Sequence, residues 1–162
     1  MRKQNTNRQN RTRGFTLVEL MIITAILGIL AAIVFPEFQG HIQRAKETQA
    51  KANLRLLREA IERYAADHNG IPPGYFGNNP ALTPTGGVTK MHLVPSSKPY
   101  LLELPKNPFN DLASILVIDN SSDMPASPTQ TDTYGWIYKP STKTVKLNWN
   151  GTDSEGKAYY NY

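Results

Sequence analysis

Cysteine is absent from all 162 residues, so neither a disulfide staple nor a thiolate metal site is available. Acidic residues are missing from the first 14 positions, which carry Arg2, Lys3, Arg8, Arg11 and Arg13. Basic residues are missing between Gly14 and Glu37. The formal net charge of +5 therefore belongs to the leader, because beyond Gly14 thirteen basic side chains are matched by thirteen acidic ones. That balance argues against nucleic-acid binding, which calls for a basic patch in the folded part. His41, His68 and His92 show no metal-ligand spacing, and no Ser, His and Asp set forms a recognisable catalytic motif. The composition excludes a large multidomain enzyme and leaves room for one modest domain beside an apolar segment. The chain reads as a non-enzyme.

What is present begins at Phe15. Residues Phe15 to Phe35 form an apolar run broken by one carboxylate, Glu19, near its start. A run of this length spans a bilayer as a helix. An acid at the centre of such a helix costs roughly 2.5–3.5 kcal/mol, less near an end, so an intramembrane carboxylate implies a partner. No basic side chain between Gly14 and Glu37 can be that partner within the chain. The basic leader places the N-terminus of the span on the cytoplasmic side and exports the rest. A secretory signal peptide has a similar basic and apolar layout, with Ala31-Ala32-Ile33 as a weak cleavage site, but here more helix follows the apolar run instead of a polar break.

Four parts follow: a leader (1–14), a membrane-spanning and assembly helix (15–36), an amphipathic continuation of that helix (37–69) and a head (70–162). Pro36 marks the first junction, where proline tends to kink a continuing helix. In the continuation, Phe38, Ile42, Ala45, Ala52, Leu56, Ala60, Ile61 and Tyr64 recur at helical spacing as the packed face. Arg44, Lys46, Glu47, Lys51, Arg55, Arg58, Glu59, Glu62 and Arg63 take the solvated face, with Glu59 and Arg63 as an i, i+4 pair. Asn69-Gly70 ends the helix and Pro72-Pro73 prevents its resumption. The head divides into a variable loop (70–112), with one helical turn near Tyr100 to Glu103, a sheet (113–150) and a C-terminal loop. Ile115 to Ile118 reads as a strand, and Tyr134–Tyr138 and Thr144–Trp149 as a hairpin around Pro140-Ser141-Thr142-Lys143. Three antiparallel strands need a covering layer, which the amphipathic helix supplies.

The stretch Arg13-Gly14-Phe15-Thr16-Leu17-Val18-Glu19, with Gly28 and Pro36 further on, resembles the class III signal of type IV pilins and type II secretion pseudopilins. Tyr100 to Phe109, with its Leu-Pro-Lys-Asn-Pro core, resembles the Leu-Pro-Lys-Asp-Pro-Trp segment of major pseudopilins, with Asn107 and Phe109 in place of the acid and the tryptophan. Read physically, that segment is a proline-pinned loop whose Leu and Phe residues cap the core. The resemblance implies an α+β fold with a long N-terminal helix, membrane-spanning in its first half, packed on a small C-terminal antiparallel sheet. It implies that a prepilin peptidase cuts between Gly14 and Phe15 and methylates the new amine of Phe15. It also implies that Glu19 pairs with that amine on an adjacent subunit as helices bundle into a filament. Alternatively, Glu19 satisfies the first turn of its own helix.

The implied protein is a single-pass inner-membrane subunit with its N-terminus cytoplasmic and its head periplasmic or extracellular. It homo-oligomerises into a helical filament with the help of an assembly platform and minor pseudopilins. A type II secretion pseudopilus is the leading reading, a surface pilus for adhesion, motility or DNA uptake the second, and a monomeric, signal-anchored periplasmic binding protein the third. Major pseudopilins carry calcium in the C-terminal loop, and Asn150, Asp153 and Glu155 are the candidate ligands here, since calcium takes six to eight oxygens. A polar turn would use the same residue types.

Overall fold

Thr16 opens the first helix of this computed structural model, which describes residues 14–97 and 99–162. Helix α1 (Leu17–Asp67) continues through Pro36 as one element. The expected leader, up to residue 13, lies outside the described residues. The chain divides into two compact units between Gly40 and His41.

In the first unit, every side chain described from Gly14 to Phe35 is exposed, including Phe15, Leu20, Ile26 and Phe35. The segment is long and apolar enough to cross a membrane. So large an apolar surface needs lipid or another chain to cover it.

The second unit is the head. It comprises the rest of α1, helix α2 (Gly86–Leu93) and strands β1 (Ile115–Val117), β2 (Trp136–Lys139) and β3 (Thr144–Leu147). Asn69 adopts the left-handed conformation (φ 55°) while the Gly70 amide donates to the Ala65 carbonyl at 2.8 Å, a Schellman-type ending that matches the Asn-Gly signal. The buried face of α1 differs from the one expected. Ala50, Leu54, Leu57, Ala60, Ile61 and Tyr64 pack on Trp136, Tyr138, Val145 and Leu147, whereas Phe38, Ile42, Ala45, Ala52 and Leu56 are exposed. The segment carries two apolar stripes at helical spacing, and periodicity alone cannot say which one meets the sheet. Glu47, expected on the solvated face, belongs to the buried stripe. Glu59 pairs with Arg55 at 2.7 Å, not with Arg63, whose guanidinium reaches the Glu59 and Tyr100 carbonyls.

The sheet order is β1-β2-β3. The expected hairpin forms, with Trp136 opposite Leu147 and Lys139 opposite Thr144. Lys143, at φ 53°, completes the turn after Pro140–Thr142. The all-antiparallel sheet does not form, because β1 runs parallel to β2, pairing Ile115 with Trp136 and Val117 with Tyr138. A parallel pair needs a crossover of a dozen or more residues, and residues 118–135 provide it. Asn148, fully buried, clamps that crossover: its amide nitrogen donates to the carbonyls of Thr129 (2.7 Å) and Tyr134 (2.8 Å), and its amide oxygen accepts from Thr129 N–H (3.0 Å).

The loop from 70 to 112 contains α2, capped by Thr85, while the expected turn at Tyr100 to Glu103 is not helical. Leu101 and Leu104 instead insert into the core, as the capping role of this segment required. Asn107 is fully buried, donating to the Gly135 carbonyl (3.0 Å) and accepting from Phe109 N–H (3.0 Å). The Trp136 indole donates to the Pro105 carbonyl at 2.8 Å. Gly135 is required by its neighbours, since a Cβ there would lie 2.0 Å from the Leu112 carbonyl oxygen.

Candidate functional site

The first turn of α1 places three of the sequence-predicted residues together. Gly14 and Phe15 precede the helix, and Thr16 is its N-cap. Oε2 of Glu19 accepts from the Thr16 backbone N–H (2.9 Å) and hydroxyl (2.8 Å), and the Thr16 hydroxyl accepts from Glu19 N–H (3.2 Å). This is a capping box, in which the N-cap residue and the N3 carboxylate satisfy each other's orphan amides. Thr16 was missed by sequence reasoning, although the Thr-x-x-Glu spacing signals it. Glu19 therefore satisfies its own first turn, and both capping bonds converge on one of its two carboxylate oxygens. Phe15 is 74% exposed.

The calcium candidates do not share one environment. Asp153 is buried, whereas Asn150 and Glu155 are exposed. Oδ1 of Asp153 accepts the backbone N–H of Glu155 (3.0 Å) and Lys157 (2.8 Å). Its Oδ2 accepts the Tyr162 hydroxyl (2.8 Å) and lies 3.6 Å from the Lys51 ammonium. Burial would raise the Asp153 pKa, but Tyr162, the two amides and Lys51 outweigh it and hold the carboxyl below its usual range. Among the described residues, no three His, Asp or Glu side chains gather to hold a metal. Calcium demands carboxylate and carbonyl oxygens turned toward one point, and here the one buried carboxylate among the three candidates is turned toward hydrogen-bond donors. The donor set does not fit the ion.

The roles of Glu47 and Lys51 were also missed. The buried Glu47 carboxylate accepts Ser154 N–H (3.2 Å), the Ser154 hydroxyl (3.0 Å) and the Tyr159 hydroxyl (3.0 Å), and Gln43 donates to Tyr159. These links join residues more than a hundred positions apart, which no local pattern signals.

Comparison with known proteins agrees with the geometry of the helix start. Residues 9–35 match the model of the prokaryotic N-terminal methylation motif. The chain is 42% identical over 77 residues to the type IV major pilin protein PilA of Myxococcus xanthus, covering 48% of this chain and 34% of that protein. It is 32% identical over 99 residues to type II secretion system core protein G of Pectobacterium carotovorum, covering 61% of this chain and 63% of the relative. The match to core protein G of Pseudomonas aeruginosa is 33% over 99 residues, covering 60% of this chain and 68% of the relative. The chain thus spans about a third of the Myxococcus protein and just under two thirds of the Pectobacterium one. No solved structure matches it significantly.

Proposed function

This chain belongs to the family of type IV pilins and type II secretion core G proteins, and on that premise we propose that it is a structural subunit of a type II secretion pseudopilus. One observation carries the reading: the likeness to core protein G extends over 99 residues, too many for the methylation motif alone, so it reaches into the head.

In this reading a prepilin peptidase cuts between Gly14 and Phe15 and methylates the Phe15 amine. Cleavage removes the five cationic side chains that hold the leader in the cytosol. The capping box lies wholly downstream of the cut, so the helix start survives processing. A carboxylate has about four lone-pair sites, and those that Thr16 leaves unused accept the Phe15 amine of an adjacent copy. In a low-dielectric filament core, such a pair selects register more than it adds stability. The inner membrane holds the subunit, head outward, until an assembly platform extracts it together with minor pseudopilins.

Mass spectrometry of the mature chain tests the processing step: methylated Phe15 is expected at the N-terminus, and a chain retaining Met1 in the assembled form overturns it. The 42% identity to a Myxococcus pilin favours a surface pilus as the second reading. Deleting the gene separates the two, since loss of exoprotein secretion marks a pseudopilus and loss of surface fibres with secretion intact marks a pilus.

A further inference from the structure

We propose that Lys51 is the resident cation of the C-terminal loop, so that the head closes without calcium. The contrast with calcium rests on the family reading, while the closure itself rests on the geometry of the loop.

The Asp153 side chain is only 1% exposed, and a buried carboxylate persists only where charge and hydrogen bonds compensate it. Lys51 supplies the charge at 3.6 Å, and the amides of Glu155 and Lys157 with the Tyr162 hydroxyl supply the bonds. The same ammonium lies 4.6 Å from the centre of the Tyr162 ring, within cation–π range. Lys51 sits one helical turn beyond Glu47, so both project from one side of α1. Glu47 anchors Ser154 while Lys51 faces Asp153. Adjacent loop residues are thereby tied to one helix, by an anion and by a cation.

The Tyr162 side of Asp153 opposes a divalent ion. The small cleft beside Tyr162 is lined by Lys51, Leu54, Arg58 and Lys157, three cations and no acid. A calcium ion there would meet like charge and would have to displace the Lys51 ammonium from Asp153.

The test uses the full chain in detergent micelles, melted with EDTA and with added calcium chloride. Equal midpoints, within about 1 °C, are expected. Lys51→Met keeps the aliphatic stem but removes the charge; it is expected to lower the midpoint by about 3 °C or more and to speed hydrogen exchange at the Glu155 and Lys157 amides. Lys51→Arg is expected to restore both. A calcium-dependent rise in the wild-type midpoint, saturable calcium binding by calorimetry, or a Lys51→Met chain with unchanged midpoint and exchange would each overturn the proposal. The N-terminal mass is measured on the same preparation, so that an unprocessed chain exposes a failure of the family reading independently of the calcium result.

Discussion

Thr16 and Glu19 hold each other across the first turn of α1, with two Thr16 donors converging on one oxygen of Glu19 at 2.8 and 2.9 Å. The residue that implies an intermolecular partner thus already has an intramolecular duty, and the two duties separate by mutation. Thr16→Val removes the hydroxyl but keeps the backbone N–H and the carboxylate, so filaments should still form, with some fraying of the helix start. Glu19→Ala removes cap and partner together and should abolish incorporation into filaments while leaving membrane insertion intact. Normal filaments from Glu19→Ala, seen by electron microscopy of sheared fibres, would end the assembly role of this carboxylate.

Leu56 and Leu57 are neighbours on α1 with opposite environments, 41% and 0% exposed. Leu57→Ala leaves a cavity against the sheet and should cost about 2–5 kcal/mol in head stability. Leu56→Ala should change the isolated chain by no more than about 0.5 kcal/mol, as surface substitutions do. Chemical denaturation of the two variants decides which apolar stripe carries the core, and equal losses would contradict the packing described.

Gly135 lies where the Leu112 carbonyl leaves no room for a Cβ. Gly135→Ala should therefore lose about 3 kcal/mol or more, because the obstacle is backbone and cannot swing aside. The diagnostic signal is early loss of hydrogen-exchange protection at Trp136 and Asn148, whose amides donate to the Ser114 and Gly135 carbonyls.

His92 should make the head sensitive to acid. Its ring stacks on Tyr64 at 4.8 Å, with His68 stacked on the same Tyr64 at 3.9 Å, and its Nδ1 accepts Gly74 N–H at 3.3 Å. Burial first, and His68 second, push the His92 pKa below the usual imidazole value. The unfolded chain then binds the proton more readily, so this contribution is complete above about pH 6.5 and is lost as pH falls through the depressed folded value. The melting midpoint should drop between pH 7.5 and 5, and His92→Phe, which keeps a stacking ring, should flatten that slope. An identical slope in the variant would remove His92 from the explanation.

Much of the candidate site was legible because its signals are local. The methylation motif, the acid at Glu19, the apolar run and the Asn69-Gly70 ending each depend on residues within a few positions of one another. So did the hairpin around Pro140 to Lys143, where turn chemistry sets the register. Helix α2 was not legible, since its eight residues include Gly86 and Gly87, poor helix formers that take up helix here behind the Thr85 cap.

The chain order of residue types was enough to establish a membrane-length helix with one carboxylate and an N-terminal methylation motif, because length, polarity and short-range spacing control those features. It could not settle which stripe of α1 is buried, the parallel pairing of β1 with β2, or the role of Lys51. Each of those depends on free-energy differences between long-range arrangements: two apolar stripes compete for one sheet, a crossover is locked by Asn148, and a buried Asp153 takes its countercharge from a helix a hundred residues away. Such choices are made only when distant parts of the chain desolvate one another.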